Sequence, residues 1–179
     1  MKIWFPYVHA GSGSDVFTHS LADALRKRGY DVAVTRFAHS CQYFPWRLQF
    51  ATCPQETDIV VANSWNAFAF KRRGIPLVVV EHLFVLDPGL SPYRNFAQSI
   101  FHNVFIRLYL QLSYRAADRV IALSEFAHEK MHQVYPRAAI QVIRNGIDTG
   151  FFTPNELETN GDSGRKFVVL FVGNPSRRK

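Results

Sequence analysis

The run Ile3-Trp4-Phe5-Pro6-Tyr7-Val8, followed by His9-Ala10-Gly11-Ser12-Gly13-Ser14-Asp15, decides the fold. The apolar run reads as a first strand, and the small polar loop after it ends in helix N-cap chemistry. Downstream, Phe17, Leu21, Ala24 and Leu25 share one helical face. Arg26-Lys27-Arg28 stand where the helix dipole favours cations, and Gly29 supplies the stop. Asp31 to Phe37 follows as a second strand. Strand, loop, helix and strand in this order predict a βαβ unit with parallel strands.

The alternation continues outward. Asp58 to Ala62, Pro76 to Glu81 and Arg119 to Leu123 are further strands, and Ile140 to Ile143 is a sixth. A long helix is expected from Tyr93 to Ala117, with a stripe of Phe96, Ala97, Ile100, Phe101, Val104, Phe105, Leu108 and Leu112 facing the core. Ser124 caps another helix, which runs to about Val134. The fold class predicted is α/β, a Rossmann-like doubly wound parallel sheet spanning residues 1–153. Residues 154–166 read as a polar linker, and 167–179 as the first strand of a second domain that the chain leaves truncated.

Apolar residues make up 47% of the 179-residue chain and aromatic ones 15%, enough for a large core and against intrinsic disorder. Cys41 and Cys53 form no CxxC pair and are too few for a disulfide scaffold, which points to a reducing, cytoplasmic compartment. The N-terminus lacks signal-peptide character, and no run of about 18 apolar residues is free of charge. The formal charge of +7 favours anionic partners. The long helix is apolar on more than one side and is bordered by Arg94, Arg107 and Arg115. Core packing is its favoured role, and an anionic membrane surface, met at the inner face of the membrane, is the competing one. Basic residues are scattered and form no nucleic-acid-binding pattern, so no nucleic-acid partner is expected.

Candidate chemistry gathers at strand ends. Gly11-Ser12-Gly13 follows the first strand, where small residues let the backbone approach a ligand and a helix N-terminus favours negative charge. The same loop reads equally as a tight strand-to-helix turn. Val16 replaces the third glycine of the dinucleotide fingerprint, leaving an NADP-binding Rossmann protein that uses Arg36 as a less favoured alternative. His82 closes the run Leu77-Val78-Val79-Val80-Glu81, at the edge where open parallel sheets bind ligands. Glu81 reads either as an orienting partner for that imidazole or as a surface acid. His128-Glu129-Lys130-Met131-His132 spells HExxH, but no third ligand follows. The apolar stripe of Phe126, Ala127, Met131 and Val134 turns both histidines to the flank or to solvent, so no metal site is expected.

Four segments carry a family resemblance. They are the small-residue loop before Leu21-Ala22-Asp23-Ala24-Leu25-Arg26-Lys27-Arg28-Gly29-Tyr30-Asp31-Val32; Val79-Val80-Glu81-His82; Ala117-Asp118-Arg119-Val120-Ile121-Ala122-Leu123-Ser124-Glu125; and Val142-Ile143-Arg144-Asn145-Gly146-Ile147-Asp148 with Phe152-Thr153-Pro154. The third is similar to "ADxVIAxSE" and the fourth to "VIPNGVDxxxFxP", with Arg144 in place of the proline. Together they resemble the N-terminal, acceptor-side half of a GT-B glycosyltransferase of family 4. Phe171-Val172-Gly173 through Lys179 is similar to the "FVGRxxxxKG" opening of that family's second domain, with Asn174 in place of the arginine.

The resemblance implies retaining transfer of a sugar from a nucleotide-sugar donor to a glycan or lipid-linked acceptor. It implies no metal ion or other cofactor, and a place in bacterial surface-polysaccharide or glycolipid assembly. It implies His82 as the catalytic residue touching the transferred sugar or the acceptor, and Gly11, Ser12 and Gly13 near the donor phosphate. Glu81, Asn145, Arg178 and Lys179 would be further binding residues, Lys179 neutralising the donor diphosphate. The donor-gripping segment would lie beyond residue 179, so this chain would be inactive alone. The alternative is a non-catalytic relic of such a domain that binds a glycan or lipid.

Overall fold

Alternation along the first strand builds two hydrophobic layers from one sheet. In the computed structural model, which describes residues 1–153, β1 runs over Lys2–Val8 with Trp4 and Val8 on one face and Ile3 and Phe5 on the other. The other strands are β2 (Asp31–Phe37), β3 (Ile59–Asn63), β4 (Leu77–Glu81), β5 (Arg119–Ala122) and β6 (Ile140–Val142). All pair in parallel, in the spatial order β2-β1-β3-β4-β5-β6. Each lies within about a residue of its expected bounds, and the α/β class, Rossmann-like, is as expected.

The chain leaves β1 toward β2, then turns back past β1 to β3 and continues one way to β6. Right-handed crossovers therefore put α1 (Gly13–Lys27) on one face and the connections after β3 on the other. Ala22, Leu21 and Leu25 of α1 close over Ile3, Phe5, Val32, Ile59 and Val61. On the opposite face, Trp4, Val60, Ala62, Leu77, Val79, Val120 and Ala122 pack against Ile106, Tyr109, Leu110, Tyr114 and Met131. Trp4 Nε1 also donates to Thr35 Oγ1 at 2.9 Å, so its one polar atom is satisfied inside.

The long helix is the element that departs from expectation. It begins only after Asn95, whose side chain and that of Gln98 cap each other's backbone amides at 2.8 and 3.2 Å. A short α2 (Phe96–Ile100) passes through a π-helical segment, Phe101–Ile106, into α3 (Arg107–Ala116). The buried face is Ile106, Tyr109, Leu110, Ser113 and Tyr114. Of the stripe expected inside, Phe96, Ile100, Val104, Phe105, Leu108 and Leu112 are exposed. The segment carries two apolar stripes, and the sheet takes the one whose polar tips find inner partners: Ser113 Oγ accepts from the Phe68 amide and Tyr114 donates to Glu81.

Two family-like motif residues prove to be structural. Asp118 Oδ2 accepts from Lys71 Nζ at 2.6 Å and from the Leu77 amide at 2.8 Å, tying the end of α3 to the start of β4. Ser124 Oγ caps α4 (Glu125–Val134) by accepting from the Ala127 amide at 3.1 Å.

The chain divides into two units, Met1–Arg144 and Asn145–Lys179. In the second, Asp148 Oδ1 accepts from the amides of Gly150 and Phe151 at 2.9 and 3.2 Å, closing a turn. The linker expected at 154–166 and the strand expected at 167–179 lie outside the described residues, as do Arg178 and Lys179.

Candidate functional site

The strand order reverses between β1 and β3, and in open α/β sheets the crevice at such a point, beyond the strands' carboxyl ends, is where ligands bind. Three elements end there: β1 in the Gly11 loop, β3 in Asn63 and β4 in Glu81-His82.

Asp15 builds the loop. Its Oδ2 accepts from the amides of Gly11 at 2.8 Å and Ala10 at 3.1 Å, and it lies 2.7 Å from His9 Nδ1. The chain must reverse sharply to bring those amides onto a side chain one helical turn ahead, and Gly11 does so at φ +63°. Asp15 also places negative charge in the first turn of α1, where the helix dipole favours it. Gly11, Ser12 and Gly13 stay exposed, and in the first turn of α1 the Asp15 amide donates to the Ser12 carbonyl at 3.0 Å.

A side chain at Gly11 would meet no atom within 4 Å, so only backbone strain opposes it. Gly11→Ala is expected to lower unfolding stability by about 1–2 kcal/mol. Gly13→Ala, at an ordinary φ and in equally open space, is expected to leave stability unchanged or slightly raised. Urea unfolding of the two variants checks the contrast.

His82 stands across from this loop. Its Nε2 is 3.0 Å from Asn63 Oδ1, so with that oxygen accepting, the ring proton sits on Nε2 and Nδ1 is left as an acceptor. The edge of Phe17, from α1, packs on the imidazole with ring centroids 4.8 Å apart. Burial lowers the His82 pKa to about 4, against a smaller upward pull from the Asp15 charge. The ring is therefore neutral near pH 7. Through Asp15 and Phe17, the loop and His82 form one cluster.

Glu81 belongs to the interior. It is 1% exposed, accepts from Tyr114 Oη at 2.6 Å and from the Leu83 amide at 3.3 Å, and makes no bond to His82, whose partner is Asn63. It is thus neither the orienting partner of the imidazole nor a surface acid. Burial raises its pKa to about 7, while the Tyr114 and Ser64 hydroxyls and the Leu83 amide pull the other way. Asn145 lies in the second unit. His128 and His132 stack at 5.9 Å on α4, and among the described residues no group of three or more His, Cys, Asp or Glu could hold a metal ion.

The residues that sequence reasoning missed are Asn63 and Phe17. Each had a readable signal: Asn63 is the polar end of an apolar strand, and Phe17 sits one helical turn past Gly13.

Residues 35–151 match the family model described as Glycosyltransferase Family 4. A curated protein of Catenulispora acidiphila, D-inositol 3-phosphate glycosyltransferase 1, is 28% identical over 144 residues, covering 70% of this chain and 32% of that relative. The chain spans about a third of the length of the relative it matches.

Proposed function

Because this chain belongs to glycosyltransferase family 4, we propose that it works in glycosyl transfer from a nucleotide-sugar donor to a hydroxyl of a glycan or lipid-linked acceptor. In that transfer the bond from the anomeric carbon to the diphosphate breaks, its electron pair leaving on phosphate. The acceptor oxygen forms the new bond to that carbon and gives its proton to the departing phosphate oxygen, with retained configuration and without a metal ion. The Rossmann-like domain of residues 1–153 holds the acceptor and the reacting sugar, and a separate donor-binding domain holds the nucleotide. The setting is cytoplasmic.

One observation carries this reading: a neutral imidazole, His82, held by Asn63 and Phe17 against the Gly11 loop at the point where the strand order reverses. A neutral ring can hydrogen-bond a sugar hydroxyl without adding a cation beside a carbon that becomes electron-poor as the bond breaks. A dinucleotide reading loses support, because Val16 stands where the fingerprint has its third glycine.

The test is nucleoside-diphosphate release by the product of the full coding sequence. Nucleotide sugars are supplied with extracted membrane lipid, oligosaccharide or D-inositol 3-phosphate as acceptor, the last because of the relative's name. Release is expected with at least one pair and to persist in EDTA. His82→Gln should lower it by on the order of a hundredfold or more. The 179-residue chain should show almost none. No release from any pair, or an unaffected His82→Gln protein, overturns the reading.

A further inference from the structure

The stripe that the sheet leaves outside forms a broad surface. Phe96, Ile100, Val104, Leu108 and Leu112 recur every four residues along α2, the π-helical segment and α3, so they neighbour one another in a row. Phe96 is 82% exposed, and the other four are exposed as well. Beside the row, Phe101 meets Phe105 at 5.8 Å and Tyr43 at 5.5 Å, and Tyr109 Oη donates to the Tyr43 carbonyl. This brings in the segment between β2 and β3, where Tyr43, Phe44 and Trp46 are exposed and Phe50 is 88% exposed. Through Tyr43, the segment between β2 and β3 thus adjoins the row. Monomeric soluble proteins rarely leave apolar surface of this kind uncovered.

Its charge says what covers it. Between Asp31 and Glu56, and again between Asp87 and Asp118, there is no Asp or Glu, yet those stretches hold Arg36, Arg47, Arg94, Arg107 and Arg115. Arg107 follows Val104, and Arg115 follows Leu112, by three positions, which sets both along one border of the row. Arg47 stands next to Trp46 and is exposed. Among the described residues no carboxylate pairs with Arg47, Arg107 or Arg115. Apolar side chains bordered by arginine and free of carboxylate complement a bilayer that is apolar inside and anionic at its surface. Another protein, or a second copy, would have to supply its own acids to face these arginines. Among the described residues no helix is long and apolar enough to cross a membrane, so the face lies on the surface.

We propose that this face docks the protein on an anionic lipid bilayer, with Phe50, Phe96 and the row through Leu112 entering the headgroup layer and Arg47, Arg107 and Arg115 meeting lipid phosphates. The docking stands independently of the transfer reaction and is measured without it. Because α2 and α3 run back from the carboxyl edge of the sheet to the start of β5, the Phe96 end lies toward the edge that carries His82.

Co-sedimentation of the 179-residue chain tests this, with vesicles of phosphatidylcholine alone or mixed in equal parts with phosphatidylglycerol. Binding is expected at low salt with phosphatidylglycerol present, at least about tenfold stronger than without it, and lost near about 0.5 M salt. Phe50→Ser with Phe96→Ser should weaken binding about tenfold or more. Arg107→Gln with Arg115→Gln should weaken it similarly on mixed vesicles only. These positions are exposed, so the variants keep the fold, which circular dichroism verifies. Three results each overturn the proposal: no pelleting at low salt; pelleting indifferent to phosphatidylglycerol or to the serine changes; or self-association that the serine changes abolish while vesicles are ignored, which would assign the face to a second copy.

Discussion

Replacing His82 or Glu81 singly is expected to expose a dependence of stability on pH of about 3 kcal/mol, with opposite sign in the two variants. The Glu81 pKa rises from 4.5 unfolded to about 7 folded, so the native state holds a proton that the unfolded chain releases. Its contribution therefore falls as pH rises from about 4.5 to 7. The His82 pKa drops from 6.5 to about 4, so here the unfolded chain holds the extra proton. Its contribution rises as pH climbs from about 4 to 6.5. Over the shared window the two slopes oppose, and the wild-type pair contributes almost nothing to pH dependence. His82→Gln leaves Glu81 alone, and stability should decline from pH 4.5 to 7. Glu81→Gln leaves His82 alone, and stability should climb from pH 4 to 6.5, with Tyr114 still hydrogen-bonded by turning its hydroxyl to accept from the amide. Urea midpoints at several pH values read both slopes. Parallel curves for the two variants and the wild type would refute the assignment.

These neighbours also mark where the sequence could be read and where it could not. The strands were legible because each is short, apolar and bounded, and parallel strands buried on both faces leave that pattern wherever they occur. The positions of the loop and of His82 were legible, since a small-residue turn after β1 and a polar residue after β4 fall at the carboxyl edge of the sheet. Glu81 was not, because its role depends on Tyr114, a residue far along the chain that only packing brings to 2.6 Å. The helix from Phe96 fails for the same reason. Periodicity pointed to the Phe96–Leu112 stripe as the core face and was wrong, because the choice turned on distant partners: the Phe68 amide for Ser113, Glu81 for Tyr114 and the Tyr43 carbonyl for Tyr109. The hydroxyls of Ser113 and Tyr114 look like a solvent face in a local window. Inside, they are satisfied polar tips on a packed face, and the more uniformly apolar stripe is left outside.

Asp15→Ala is expected to cost about 3 kcal/mol of stability, more than loss of an ordinary cap. Three groups depend on this carboxylate, which is itself 8% exposed: the amides of Ala10 and Gly11 and the His9 ring. Alanine leaves both amides without an acceptor and removes the negative charge from the first turn of α1. Asp15→Asn keeps one acceptor oxygen and should lose about half as much. A cap alone would do no more than this. The Asp15 charge, however, also reaches His82 and holds its pKa up against burial. In the Asp15→Asn protein, NMR titration of the His82 imidazole should therefore move to lower pH, although the loop persists. An unmoved titration would reduce Asp15 to a structural cap and separate the loop from the imidazole. A lowered one would show that the first turn of α1 sets both the shape of the loop and the protonation of the ring across from it.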